Sequence, residues 1–426
     1  MGRLAYSLSH QNKSVEAESL YLAALQQLQA SLGPEDAEVM KCVDGLGFTC
    51  FLLKKLEDSE KYYRRLLQYY EKTLGEEHLN TLKTVNNLGK TYQSLGKYNE
   101  AIKLCEGSLE CCQRTLGLNH PTTQAAVVTL AQIRHYLNDS ATAEQMYRMA
   151  LSCNEKTLGP NHEDTLVIVC HIASLLSDQG LYSASEMMYV RALAGYEETV
   201  GGNSLLALQA LHNIGVTLLK QIKPIEARVQ LNKAYEGRVK YLGENHGLTL
   251  TTLFQIGQSY HLESAWRHRP DSKDKRVLAE QTLYRALAGC DVTLGPQHTQ
   301  SVEVAQYLAD FLIEQNNPLP GEPLYRRIYQ VYKTTLDRSR DTRISQAAHR
   351  LGYILDIKRD HEEAAEYFLI AHEAYKKVRV LDPLDPVVVS ARFTKMQVLT
   401  SEEEKNVLVE DALDQHKNSL WRLAHG

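Results

Sequence analysis

"YEKTLGEEH" at residues 70–78 is followed 42 positions later by "CQRTLGLNH" (112–120) and 42 later again by "NEKTLGPNH" (154–162). The Thr-Leu-Gly anchor begins at Thr73, Thr115, Thr157 and Thr293, with variants at Ser31, Thr199, Tyr241 and Thr335. Successive spacings are 42, except for one of 52 between Tyr241 and Thr293. A fixed period of this length marks a stacked array, in which each unit buries one face against its neighbours.

Between anchors the pattern is that of two amphipathic helices. In "TVNNLGKTYQSLGKYNEAIKLCEGSLECCQRTLG", Leu88, Gly89 and Tyr92 share one helical face, and Ala101, Cys105 and Ser108 form the facing stripe of a second helix after a break at 95–99. The same phase puts Leu or Ile at Leu4, Leu46, Leu88, Leu130, Ile172, Ile214, Ile256 and Leu308, and at Leu351 after a one-residue slip. A small residue follows each, and another comes thirteen positions on, as at Ala17, Ser59, Ala101, Ala143, Ser185, Ala227, Gly321 and Ala364. Small side chains at these places let two helix axes approach closely.

This pattern resembles the tetratricopeptide repeat. The usual unit has about 34 residues; a 42-residue unit with a longer second helix is similar to the repeats of kinesin light chains. The resemblance implies an all-α, right-handed superhelix of about nine helix-turn-helix repeats over residues 1–380. It also implies that the first helices line a concave groove.

Within the anchor, the Leu is expected to end the second helix and Gly75 to close it in the left-handed conformation. Glu76 and Glu77 then precede the next helix, where its dipole favours negative charge. His recurs three residues after the Gly at 78, 120, 162, 246 and 298. Five histidines at one spacing could form a metal ladder. Because the spacing belongs to the loop itself, the reading preferred here is that each bonds backbone in its own turn. No metal or cofactor is implied.

Two ends and one insertion depart from the period. Leu4 already occupies the core position, so the first repeat reads as truncated. Residues 381–426 keep the phase poorly and read as divergent capping helices, with Ser401 and Glu404 spaced as a capping box. The 52-residue spacing contains ten additional residues, expected as a surface loop, and residues 267–276 hold five Arg or Lys against two Asp.

Positions two before, two after and five after each core Leu or Ile fall on the groove face. They nominate Phe48, Phe51, Asn86, Lys90, His135, His212, Phe254, His261, Asp310, His349 and Tyr353 as ligand contacts. Lys41 and Lys83 add positive charge early in the groove, against acidic residues late in it. The pair Asn86–Asn87 and a lone Asn213 stand where, by the resemblance, asparagines help grip an extended peptide. Phe48 with Phe51, and Val216 with Leu219 and Phe254, are expected to expose apolar surface.

The chain of 426 residues has a net charge of −5, which gives no electrostatic reason to expect nucleic acid or an anionic membrane. Eight cysteines without a C-x-x-C pair suggest reduced thiols. No run of 18 apolar residues occurs and the first residues have no apolar signal core, so a cytoplasmic location is expected. No phosphate-binding, nucleophile-elbow or zinc-protease motif is present. The expectation is a scaffold that binds a protein or peptide in its groove. The alternatives are a small-molecule enzyme or biosynthetic accessory using that groove, or the sensor module of a larger signalling protein.

Overall fold

The computed structural model describes residues 14–266, 270–335 and 342–378, and every regular element in them is helical. The helix expected around Leu4, the capping helices expected over 381–426 and residues 267–269 of the insertion lie outside the described residues. Two compact units divide between Gln221 and Ile222. The first holds α1 (Ser14–Leu32), α2 (Ala37–Leu52), α3 (Leu56–Leu74), α4 (Leu79–Ser94), α5 (Tyr98–Thr115), α6 (Pro121–Tyr136), α7 (Ser140–Thr157), α8 (Glu163–Asp178), α9 (Tyr182–Thr199) and α10 (Leu205–Lys220). The second holds α11 (Pro224–Leu242), α12 (Gly247–Ser264), α13 (Ser272–Thr293), α14 (Thr299–Glu314), α15 (Glu322–Thr335), α16 (Thr342–Ile357) and α17 (His361–Val378).

Each periodic Leu or Ile from Leu46 to Leu351 is buried, and so are the small residues of the second helices. In two repeats that small residue also ties the paired helices together. Ser59 Oγ donates to the Gly47 carbonyl at 2.8 Å, and Ser185 Oγ to the Ala173 carbonyl at 2.7 Å. Gly321 differs: it sits in a short 3-10 turn, Leu319–Gly321, ahead of α15.

Helices pack tightly at Gly89, where an added Cβ would lie 2.4 Å from Cys105 Sγ on α5. Gly89→Leu therefore has to push α4 and α5 apart, at an overpacking cost of about 1–3 kcal/mol. A thermal melt of this variant should fall several degrees below the parent's. Coincident melts would disprove the tight contact.

The anchor loop explains its own histidines. At His78, His120, His162, His246 and His298, ring Nδ1 accepts the backbone N–H two residues on, each at 3.2 Å. Asp36 and Ser204 fill the same N-cap place in two other repeats. A helix N-terminus has orphan N–H donors, and an acceptor side chain there satisfies one. These rings are caps.

Gly75 has the positive φ expected of it, +89°, but its ψ of 165° is extended rather than left-handed helical, a region open essentially to glycine alone. The insertion also differs from expectation. Part of it lengthens helices: α12 has 18 residues and α13 has 22, against 16 in α4 and 18 in α5. Ser272–Arg276, expected in a surface loop, form the first turn and more of α13.

Candidate functional site

The inner faces of α4, α6 and α8 in the first unit form two adjoining hollows, of about 760 and 460 Å3. Lys90, Gln132 and His171 line both, so the hollows are one groove with these three side chains at its middle. Gln132 Nε2 donates to His171 Nε2 at 2.7 Å, which the neutral imidazole can accept. The His171 ring stacks on Tyr147 with centroids 5.6 Å apart and planes 15° from parallel. Burial pushes the His171 pKa down to about 4, helped by the positive potential of His135 and Lys90. Lys90 is exposed to solvent along the groove, yet surrounding protein displaces enough water to lower its pKa, with Asp164 opposing.

At one end, Asn86 is only 4% exposed; its Nδ2 donates to the Thr122 carbonyl at 3.3 Å. Gln124 Nε2 donates to the Leu118 carbonyl at 2.6 Å. At the other end, His135 Nε2 lies 3.0 Å from Asp178, whose second oxygen is 3.7 Å from Lys220. Tyr98 and Tyr136 stack alongside at 6.1 Å, with Tyr136 66% exposed. Three buried polar atoms of the groove have no hydrogen-bond partner: Asn86 Oδ1, Gln124 Oε1 and Tyr147 OH. Such groups each carry a desolvation cost of about 1–3 kcal/mol until paired.

Of the residues nominated from sequence, Phe51, Lys83, Asn86, Asn87, Lys90 and His135 line this groove. Lys41 does not; it pairs with Glu38 of its own helix at 2.5 Å. Phe48 is half-buried and outside the lining. His212 is buried at 7% exposure, and Asn213 accepts from Gln209 at 2.9 Å.

In the second unit, His261 contacts Tyr307 at 2.8 Å and Glu314 at 2.9 Å. Asp310 accepts from Tyr325 at 2.6 Å and lies 3.3 Å from Arg350. His349 meets the Phe368 ring edge-on, and Tyr353 is exposed.

Two expectations are corrected. Phe254, at 3% exposure, and Leu219 are buried, so they expose no apolar patch. Phe254 belongs to the core because Tyr307 closes over it edge-on at 5.3 Å. Nor is charge segregated within the groove: Asp164 and Asp178 line it together with Lys83 and Lys90.

Sequence reasoning missed Tyr98, Gln124, Tyr136, Tyr147, Asp164, His171 and Asp178. Three were within reach of the phase. The groove face also takes the position before each core Leu or Ile (Asn87, Thr129, His171) and the sixth after it (Ser94, Tyr136, Asp178). The two tyrosines Tyr98 and Tyr147 reach in from second helices, which the face rule leaves out.

Among the described residues no group of three His, Cys, Asp or Glu is placed to hold a metal ion, and no helix is long and apolar enough to cross a membrane. The sequence profile described as "Tetratricopeptide repeat" matches residues 39–103, 83–156, 124–198 and 164–238, overlapping in step with the period. Over residues 39–238 the chain consists of tetratricopeptide repeats.

Its repeats have the all-α superhelical class in common with solved structures of low sequence identity. The human IFIT1 dimer with m7Gppp-AAAA matches at TM-score 0.57 and 14% identity, over 99% of this chain and 89% of that one. The apo quorum sensor NprR from B. thuringiensis matches at TM-score 0.56 and 14% identity, over 78% and 86%. A putative kinesin light chain with nearly identical TPR-like repeats from Podosopora anserina matches at TM-score 0.42 and 20% identity, over 51% and 98%. No curated sequence is significantly similar to this chain.

Proposed function

We propose that this tetratricopeptide-repeat protein is a cytoplasmic scaffold that holds an extended peptide of a partner protein in the groove of its first unit. The carrying observation is the set of buried, unpartnered polar atoms along that groove. The amide nitrogens of Asn86 and Gln124 are already committed to backbone carbonyls, so their oxygens remain as acceptors. A peptide backbone offers an N–H donor at almost every residue, whereas the phosphates of an RNA offer none and its backbone donates only through the ribose 2′-OH. That favours peptide over RNA, although a neighbour of the same fold is solved with m7Gppp-AAAA. The exposed Tyr136 ring supports a side-chain subsite beside the backbone track.

The test is to select binders from a displayed random-peptide library and titrate the best one. Asn86→Leu should weaken it about tenfold, since an N–H donor is left facing an apolar group. Lys83→Glu with Lys90→Glu should change the salt dependence, because exposed charges are screened over about 8–10 Å at physiological ionic strength. Peptides that bind all three proteins equally would remove the groove as the site. Saturable retention of a short single-stranded RNA, lost in the Lys83/Lys90 variant, would replace the peptide reading by a nucleic-acid one.

A further inference from the structure

The second unit carries its own cleft, of about 750 Å3, where the start of α13 meets the ends of α12 and α14. Its lining includes His261, Ser272, Lys273, Arg276, Glu314, Gln315 and Asn316. Arg276 sets it apart. It is half-buried, its Nε is shut off from solvent, and it has no hydrogen bond or ion pair.

The other described arginines of this unit that are not exposed all have acceptors. Arg228 meets Glu263 at 2.6 Å, Arg326 meets Glu363 at 2.6 Å and Arg327 meets Asp291 at 2.6 Å. The fully buried Arg238 donates to the Leu248 carbonyl at 2.8 Å and to Thr252 Oγ1 at 2.6 Å. A guanidinium cannot shed its charge, so an unpaired one beside a cleft calls for an anion from outside.

The rest of the lining suits that ligand. Lys273 is exposed and has no ion pair, and the Ser272 hydroxyl and the side-chain amides of Gln315 and Asn316 have no hydrogen-bond partner. All can donate. The single carboxylate, Glu314, is engaged by His261 Nε2 at 2.9 Å. Two cations and several neutral donors around one opening match the three free oxygens and the double charge of a phosphate monoester better than a carboxylate, which offers two oxygens and one charge.

We propose that this cleft is a phosphate-binding site, with Arg276 and Lys273 as the charged anchors, for a phosphomonoester presented by a small metabolite or a phosphorylated side chain. It is separate from the peptide groove and does not depend on it.

His261 supplies an internal reporter. Burial lowers its pKa, Arg276 lowers it further, and Glu314 opposes both. A bound dianion offsets Arg276, so the imidazole should become more basic.

The experiment titrates inorganic phosphate, then a phosphoserine peptide and its unphosphorylated form, at constant ionic strength. The His261 ring resonances are followed by NMR. The expected result is a saturable shift with phosphate or phosphopeptide and a raised His261 pKa, at least about tenfold weaker in Arg276→Gln. The exposed Lys273→Gln should weaken it too, which keeps the proposal testable if the arginine variant folds poorly. A tight response to the phosphopeptide with a weak one to free phosphate would identify a side-chain ligand; the reverse would identify a metabolite. No saturable shift, or equal shifts in parent and both variants, would overturn the site. Lys83→Glu with Lys90→Glu should leave the titration unchanged.

Discussion

Phe254→Ala should destabilise the second unit by about 3–5 kcal/mol while peptide affinity in the first unit's groove stays at the parent value. The ring is in the core cluster with Leu250, Leu253, Leu283 and Leu308, and Tyr307 closes over it edge-on at 5.3 Å. Removing it leaves a void that helices on either side cannot fill without moving. It also loosens Tyr307, whose hydroxyl reaches His261 at 2.8 Å. Phe254→Leu, which keeps most of the volume, should cost less than about 1.5 kcal/mol. Urea denaturation measures both, and a peptide titration of each folded variant measures affinity. Lost affinity with an unchanged denaturation midpoint would make Phe254 a ligand anchor and contradict its burial.

Acid should weaken the first unit through His171. In the native protein its pKa is about 4, set first by burial and then by the fields of His135 and Lys90. In the unfolded chain it returns to the ordinary value near 6.5. The unfolded state therefore takes up a proton that the native state refuses. The contribution is fully present above about pH 6.5, fades as the pH falls, and is gone by about pH 4. The total is about 3 kcal/mol, at about 1.4 kcal/mol per pKa unit. Protonation would also oppose the hydrogen bond from Gln132. Carboxylates titrate over part of this range in any variant, so the informative quantity is a difference. Between pH 7 and pH 4, the parent should lose about 3 kcal/mol more than His171→Gln. Parallel pH profiles would show that His171 is no more burdened than a surface histidine.

The repeat was legible because it is local. One residue in the first helix of each repeat, Leu46 through Leu351, sets the phase, and the anchor's Gly and His specify a turn and a cap within a few residues of themselves. The groove was half legible. Phe51, Asn86, Lys90 and His135 follow from helix phase alone, Lys83 from its charge and Asn87 from the resemblance. Tyr147 and Tyr98 do not, since they come from the second helices, and the stack of Tyr147 on His171 joins residues of successive repeats. Phe254 shares the phase of Asn86 and yet is buried, because the neighbour it meets is the Tyr307 ring.

The sequence by itself determined the all-α repeat class, the length of the unit, the buried Leu and Ile series, and the local, backbone-bonding role of the anchor histidines. Each of these depends on spacings of 3 to 42 residues along one chain, where periodicity is a direct record of which face is apolar. Only the tertiary structure decided which face positions are groove and which are core, and which polar atoms there remain unpaired. It also decided that Arg276 alone, among the half-buried and buried arginines described in its unit, lacks an acceptor. Those facts depend on what the adjacent helix presents at contact distance, and burial and hydrogen bonding are properties of pairs rather than of positions.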